Sequence, residues 1–177
     1  MEELKKNILS NFDDIEICTR QDNRMFINTK KETVLSLLSY LKNAGYDHLA
    51  LVSCNDWIDD SEFELVYILS AYMKNDEEYQ EKEKRNIVIK TRISREEAKF
   101  ITVINIFENA EPYERELHEM FGIKFEGHPR LTTLFLELEY EIPPFRKDFD
   151  TNKYVENKYG QIPTIKERKS NKRNERT

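Results

Sequence analysis

Apolar positions along the chain alternate between two periods, and the switches mark the elements. Leu4 and Ile8 share one face of a short helix over residues 2 to 10. "DIEICTR" places Ile15, Ile17 and Thr19 at every second position, the period of a half-buried strand. "RMFIN" forms a second strand after the polar turn at Gln21 to Asn23. Between Lys30 and Asn43, Val34, Leu37, Leu38 and Leu41 return to helical spacing, with Asn28 or Thr29 as cap and Gly45 at the exit. "HLALVSC" is a continuous apolar run and predicts a buried strand, and Phe63, Leu65, Tyr67 and Leu69 alternate in the next one. The charged run "KNDEEYQEKEKR", residues 74 to 85, reads as the solvated tip of a hairpin whose returning strand is "NIVIKTRI". Ser94 to Glu97 has the S-x-x-E form of a capping box and predicts a short helical stretch. This order of helices and antiparallel hairpins gives an α+β domain over residues 1 to 142, an antiparallel or mixed sheet with helices packed on it. After Pro143-Pro144 neither period persists, and residues 143 to 177 read as an extended C-terminal arm.

The segment "EPYERELHEMFGIKFEGHP", residues 111 to 129, carries the most local information. Pro112 is tolerated in a first helical turn, and Tyr113, Leu117, Met120 and Phe121 then form one apolar stripe. Gly122 supplies a left-handed stop, "IKFE" alternates like a strand, and Gly127-His128-Pro129 turns the chain. A helix of this length is marginal alone, so packing of the stripe must hold it. On the polar side, Glu114 with His118 and Arg115 with Glu119 are favourable i,i+4 pairs. Three readings compete for this face. Glu114, His118 and His128 could ligate zinc, since residues four apart share a helix face. Glu116 and His118 could act as an acid–base pair, but residues two apart point away from each other. The third reading is a solvated face with weak salt bridges.

Composition narrows the classes. The chain has 177 residues, 38% hydrophobic and 35% charged, enough for a sizeable core in a single domain. The net charge is 28 − 34 = −6, which disfavours wrapping nucleic acid. The tail from Lys166 to Thr177 holds six basic residues against Glu167 and Glu175, so it is +4 while the rest is −10. A basic tail of this kind offers a rival nucleic-acid reading, or a contact to acidic protein or lipid head groups. No apolar run reaches the roughly 20 residues that span a bilayer, and the start Met-Glu-Glu-Leu-Lys-Lys lacks the apolar stretch of a secretion signal. Cys18 and Cys54 stand too far apart for a zinc knuckle and too few for a cluster, so both thiols are expected inside, in a reducing compartment. Trp57 reads as an interface anchor or a packing residue, and His48 as a structural histidine.

The run "ERELHEMFGIKFEGHP", followed by "PPFRKDF", closely resembles the 30 kDa (C-type) subunit family of complex I, the NADH-quinone oxidoreductase. It equally resembles the matching subunit of the related membrane-bound, energy-converting nickel–iron hydrogenases. The likeness covers about residues 100 to 150 and includes "TVINIFENAEPYERE" upstream. It rests on Glu114, Arg115, Glu116, Glu119, Phe121, Gly122, Gly127, His128, Pro129, Pro144, Arg146, Lys147 and Asp148, which fall in order. The family usually has Asp at the place of Glu119 and often an aromatic at Pro112. The complex I branch commonly has two arginines where Thr132 and Thr133 stand, which leans towards a hydrogenase-type or ferredoxin-linked relative.

The resemblance implies an accessory subunit with no catalytic, cofactor-binding or metal residues of its own. It implies packing on the hydrogenase large-subunit homologue (the D-type subunit of complex I) and on a small iron–sulfur subunit. The setting would be a multi-subunit complex of a respiratory, ion-translocating electron-transport system. The partners would carry the iron–sulfur clusters and, in a hydrogenase, the NiFe centre. Membrane association would come through those partners, peripherally and on the cytoplasmic side, with no nucleic acid involved. The matching residues above would then be framework and docking positions. The rival from another class is a free-standing small metalloenzyme using His118, His128 and Glu114.

Overall fold

The computed structural model describes residues 2–19, 24–71, 86–136 and 140–160. The charged run expected at a hairpin tip and the basic tail lie outside the described residues. The chain forms two compact units, residues 1–147 and 148–177.

In the first unit, helix α1 (Glu2–Asn11) precedes strands β1 (Glu16–Thr19) and β2 (Arg24–Asn28). Helix α2 (Val34–Asn43) leads to β3 (His48–Trp57), a 3-10 turn (Ile58–Asp60), β4 (Glu62–Ser70) and β5 (Asn86–Ser94). Short strand β6 (Lys99–Ile101), helix α3 (Ala110–Phe121) and strand β7 (Lys124–Glu126) follow. The five-stranded sheet has the order β1-β2-β5-β4-β3. Its neighbours are antiparallel except β2 and β5, which run parallel, Arg24 opposite Asn86 and Asn28 opposite Lys90. β6 and β7 make a separate two-stranded parallel pair. The α+β class with a mixed sheet is as the periodicity predicts.

Alternation decides which side chains enter the core. Phe63, Leu65, Tyr67 and Leu69 of β4 and Ile87 and Ile89 of β5 are buried on one face. They meet Leu37, Leu38 and Leu41 of α2, and the expected α3 stripe of Leu117, Met120 and Phe121, all at most 8% exposed. Tyr113 packs at the margin of the same cluster.

Four local expectations need correction. The run "HLALVSC" is an edge strand rather than a strand buried on both faces, because β3 ends the sheet order. A bulge between Leu49 and Leu51 resets its alternation, leaving Leu51 exposed while Val52, Cys54 and Asp56 point inward. Cys54 is buried, but Cys18 is exposed, since β1 turns Ile17 rather than Cys18 toward the core. Burial, with the Asp56 carboxylate nearby, pushes the Cys54 thiol up to about 12. Helix α2 starts at Val34 without a side-chain cap, several residues later than its polar lead-in implied. The Ser94 hydroxyl does accept the Glu97 amide at 3.2 Å, yet this makes a turn into β6, not a helix.

The second unit contains helix α4 (Thr151–Tyr159), which residue periodicity did not reveal because none of its residues is buried. Its signal is local: the Asp150 carboxylate accepts the amides of Asn152 and Lys153 at 3.0 and 3.1 Å, an N-cap. The first unit runs on to Lys147 rather than stopping at residue 142.

Leu117 is 4% exposed against the sheet. Leu117→Ala is expected to lower unfolding free energy by about 2–5 kcal/mol, read as a shifted chemical-denaturation midpoint with an unchanged slope; an unshifted midpoint would remove this residue from the core.

Candidate docking site around α3

Helix α3 is held from inside by a carboxylate. Glu114 is fully buried, and its two oxygens accept the Thr102 hydroxyl at 2.6 Å and the Val103 amide at 2.7 Å. Both donors belong to the irregular segment that follows β6. Desolvation raises the Glu114 carboxyl above its ordinary value, and the two hydrogen bonds partly oppose that rise. The expected solvated face is therefore wrong for this residue.

The remaining charges of the motif also close on backbone. Arg115 donates through Nε to the Thr132 carbonyl at 3.1 Å and through Nη2 to the Thr133 carbonyl at 2.7 Å. Glu119 accepts the Phe135 amide at 3.0 Å and the Leu136 amide at 2.7 Å. The loop after Pro129 is thus pinned at both ends by one helix, while Leu131 and Leu136 pack on the core. Neither expected i,i+4 pair forms, because Arg115 and Glu119 bind the backbone of the 132–136 loop, and Glu114 and His118 bind the backbone of Val103 and Ile123. Arg115 instead approaches Glu111, one turn earlier, at 3.5 Å, and Arg130 reaches the same carboxylate at 2.9 Å. Arg130 holds the Glu111 carboxyl below its ordinary range. Glu116 is half-exposed on α3.

The histidines are structural in their contacts. His118 Nδ1 donates to the Ile123 carbonyl at 2.9 Å, across the turn at the end of the helix. The Arg130 amide donates to His128 Nδ1 at 3.0 Å, so Nε2 carries the hydrogen and faces the Glu111 carbonyl at 3.3 Å. Glu114, His118 and His128 are not brought together, and among the described residues no group of three His, Cys, Asp or Glu could hold a metal ion. Gly127 (φ +83°) lets the chain pass Thr102, and Pro129 follows, exposed.

The last turn of α3 receives a second segment. Gly122 ends the helix at φ +75°, and a Cβ there would lie 3.0 Å from Arg146 Nη2 and 3.1 Å from Pro143 Cγ. The left-handed backbone favours glycine, and the close approach leaves little room for a side chain. Residues 143–147 pass over this point as a strap: the Phe145 amide donates to the Met120 carbonyl at 3.0 Å and Arg146 Nε donates to the Phe121 carbonyl at 2.7 Å. A guanidinium at a helix C-terminus satisfies orphan carbonyls and complements the helix dipole. The Arg146 guanidinium also lies 5.2 Å from the centre of the Phe63 ring, and Phe121 packs edge-on to both Phe63 and Phe145. Pro144 is half-buried in the strap, and Asp148 begins the second unit, exposed.

Sequence reasoning missed the group that holds the strap's far end. Asp56, 6% exposed, pairs with Arg95 through both oxygens at 2.9 and 3.3 Å and accepts the Lys147 amide at 2.8 Å. Its inward orientation follows from the β3 bulge, which alternation alone does not show. Trp57 beside it is 41% exposed, with the Arg92 guanidinium 5.2 Å and the Lys147 ammonium 6.0 Å from its ring centre.

Two irregular segments, 131–136 and 143–147, are therefore fastened to one helix by that helix's own charges and carbonyls. The arrangement defines an α+β framework domain that fixes the course of its chain. The chain belongs to the respiratory-chain NADH dehydrogenase 30 kDa subunit family, whose sequence profile matches residues 27–155. It is 29% identical over 137 residues to the C-type subunit of the NADH-quinone oxidoreductase of Neorickettsia sennetsu, covering 77% of this chain and 69% of that protein. It is 31% identical over 130 residues to the C/D-type subunit of the same oxidoreductase in Yersinia pestis, covering 68% of this chain but only 20% of that longer protein. A chain in the structure of the membrane-bound sulfane sulfur reductase, an archaeal respiratory membrane complex, superposes with TM-score 0.80 at 28% identity, covering 93% of this chain and 94% of that one. A trypsin-resistant fragment of Nqo5 shares the fold, with TM-score 0.60 at 21% identity, over 73% of this chain and 98% of the fragment.

Glu114 supplies a pH test. Its folded pKa is raised above the ordinary 4.5, so the folded state holds its proton more tightly and ionisation costs stability as pH climbs past that value. Glu114→Gln keeps the shape and removes this effect. The variant's stability relative to wild type is expected to improve as pH rises above 4.5, measured by denaturation at each pH; a pH-independent difference would contradict the raised carboxyl.

Proposed function

We propose that this chain is a peripheral-arm subunit of a membrane-bound, ion-translocating oxidoreductase of the sulfur-reductase or hydrogenase type. Its work is to dock on and support the hydrogenase large-subunit homologue, the D-type subunit, beside the small iron–sulfur subunit. The observation that carries this reading is the near end-to-end likeness to a chain of the archaeal respiratory complex, 93% of this chain against 94% of that one. The C/D-type relatives support the same neighbour, since there the two portions share one polypeptide. The geometry agrees: the motif's charges hold backbone, which leaves the outer face of the fastened segments for protein contact.

In this reading the flavin, clusters and any nickel–iron centre belong to other subunits, and this chain carries no metal of its own. Among the described residues no helix is long and apolar enough to cross a membrane, and in this proposal the chain reaches the membrane through its partners, on the cytoplasmic side. The segment that follows the strap, from Asp148, lies along the large-subunit homologue.

Affinity purification of the tagged full-length chain from solubilised membranes, followed by mass spectrometry and elemental analysis, tests this. The large-subunit and iron–sulfur subunits are expected to co-purify. Recovery of the chain alone, with one zinc or iron per chain that disappears in His118→Ala, would replace the proposal with the metalloenzyme reading.

A further inference from the structure

Four hydrogen bonds from Arg115 and Glu119 fix the backbone of the 131–136 loop, yet the side chain at its tip faces solvent: Phe135 is 64% exposed. On the strap, Phe145 is 57% exposed although its own amide is bound to the helix. Both aromatics are fastened to the last turn of α3, one through Glu119 and the other through Met120 and Phe121. A fully solvated Phe on a loose loop would be unremarkable. Here the backbone around it is held by charged side chains that are themselves largely withdrawn from water, Arg115 only 11% exposed. Rigid presentation of an aromatic removes most of the ordering cost of binding it, and aromatic side chains are enriched at protein interfaces.

We propose that Phe135 and Phe145 are a preorganised pair of docking anchors, and that their occupant is an apolar surface of the large-subunit homologue. This rests on the function proposed above and goes further by naming the surface. Two observations select that occupant. First, Phe145 lies two residues before the end of the first compact unit, at Lys147, and Phe135 is fastened to the same last turn of α3. In the C/D-type relative the stretch that matches this chain is 20% of a longer polypeptide, so a D-type portion is covalently joined to it. Second, the charges around the anchors already have intramolecular partners: Glu119 holds the loop, Arg146 the helix end, and Asp56 holds Arg95. That leaves apolar ring area as what the surface offers, which fits an apolar protein pocket rather than an anionic ligand or lipid head group. Arg115 and Glu119 are positioning residues in this account and do not touch the partner.

The experiment uses the full complex. A photo-crosslinking benzophenone amino acid replaces Phe135, and in a parallel arm tagged Phe135→Ala competes with untagged wild type for assembly. Crosslinking to the large-subunit homologue is expected, with Phe135→Ala about 30-fold or more weaker in competition, the size of a hot-spot anchor, and with its own denaturation midpoint unchanged. If wild type assembles but Phe135→Ala competes equally, the anchor is wrong while the docking function stands. If the crosslink goes to another subunit, the occupant is wrong. If wild type itself does not assemble with the large-subunit homologue, both fall.

Discussion

Backbone N–H and C=O groups that leave water must find partners, and this requirement organises the second half of the molecule. The five-stranded sheet satisfies its own central strands. Thr102, just beyond β6, still reaches the Glu126 carbonyl of β7, but Val103 and the segments at 132–136 and 143–147 have no ladder to join and run against a packed helix. α3 meets each of them: Glu114 accepts the Val103 amide, Arg115 and Glu119 bind the second, and the Met120 carbonyl accepts the Phe145 amide, while the Arg146 side chain caps the Phe121 carbonyl and Asp56 of β3 accepts the Lys147 amide. Two of these links use charged groups with little exposure, which would be costly if unpaired. The charges of α3 are thus a fitting for irregular chain rather than a reactive cluster.

Such a fitting explains why a helix with a solvated-looking polar face can matter to a protein that works by contact. The strap closes on Gly122, where a Cβ would crowd Arg146 and Pro143 at 3.0 and 3.1 Å. Its far end is held by the Asp56–Arg95 pair in the adjacent sheet edge. The helix, the β3 edge and the strap consequently behave as one packed corner. A subunit whose relatives occur in respiratory membrane complexes gains from a rigid corner there, because preorganised surfaces lose less freedom on binding.

Much of this was legible in the residues. Alternation in β4 and β5 and helical spacing in α2 and α3 located the core, including Leu117, Met120 and Phe121. The motif from Glu114 to Pro129 located the family. What the residues did not show was direction and partner. The bulge at Leu49–Leu51 shifts which β3 positions face inward, so Asp56 could not be placed in the core from its neighbours. The i,i+4 rule paired Arg115 with Glu119 and Glu114 with His118, because sequence spacing does not register distant backbone groups competing for the same side chains. The parallel pairing of β2 with β5 joins strands distant in sequence and leaves no local signal. Helix α4 escaped notice because it buries nothing, and only its Asp150 cap marks it.

The central claim is that the α3 charges hold backbone in the free chain, before any partner binds. Amide hydrogen exchange on the isolated full-length protein tests it most directly. The account predicts retarded exchange at Phe135, Leu136 and Phe145 in wild type. In Glu119→Gln, exchange should accelerate at Phe135 and Leu136, whose amides it holds, while Phe145, bound to the Met120 carbonyl, stays protected. Exchange at Phe135 and Leu136 as fast as in an unfolded chain, already in wild type, would contradict it.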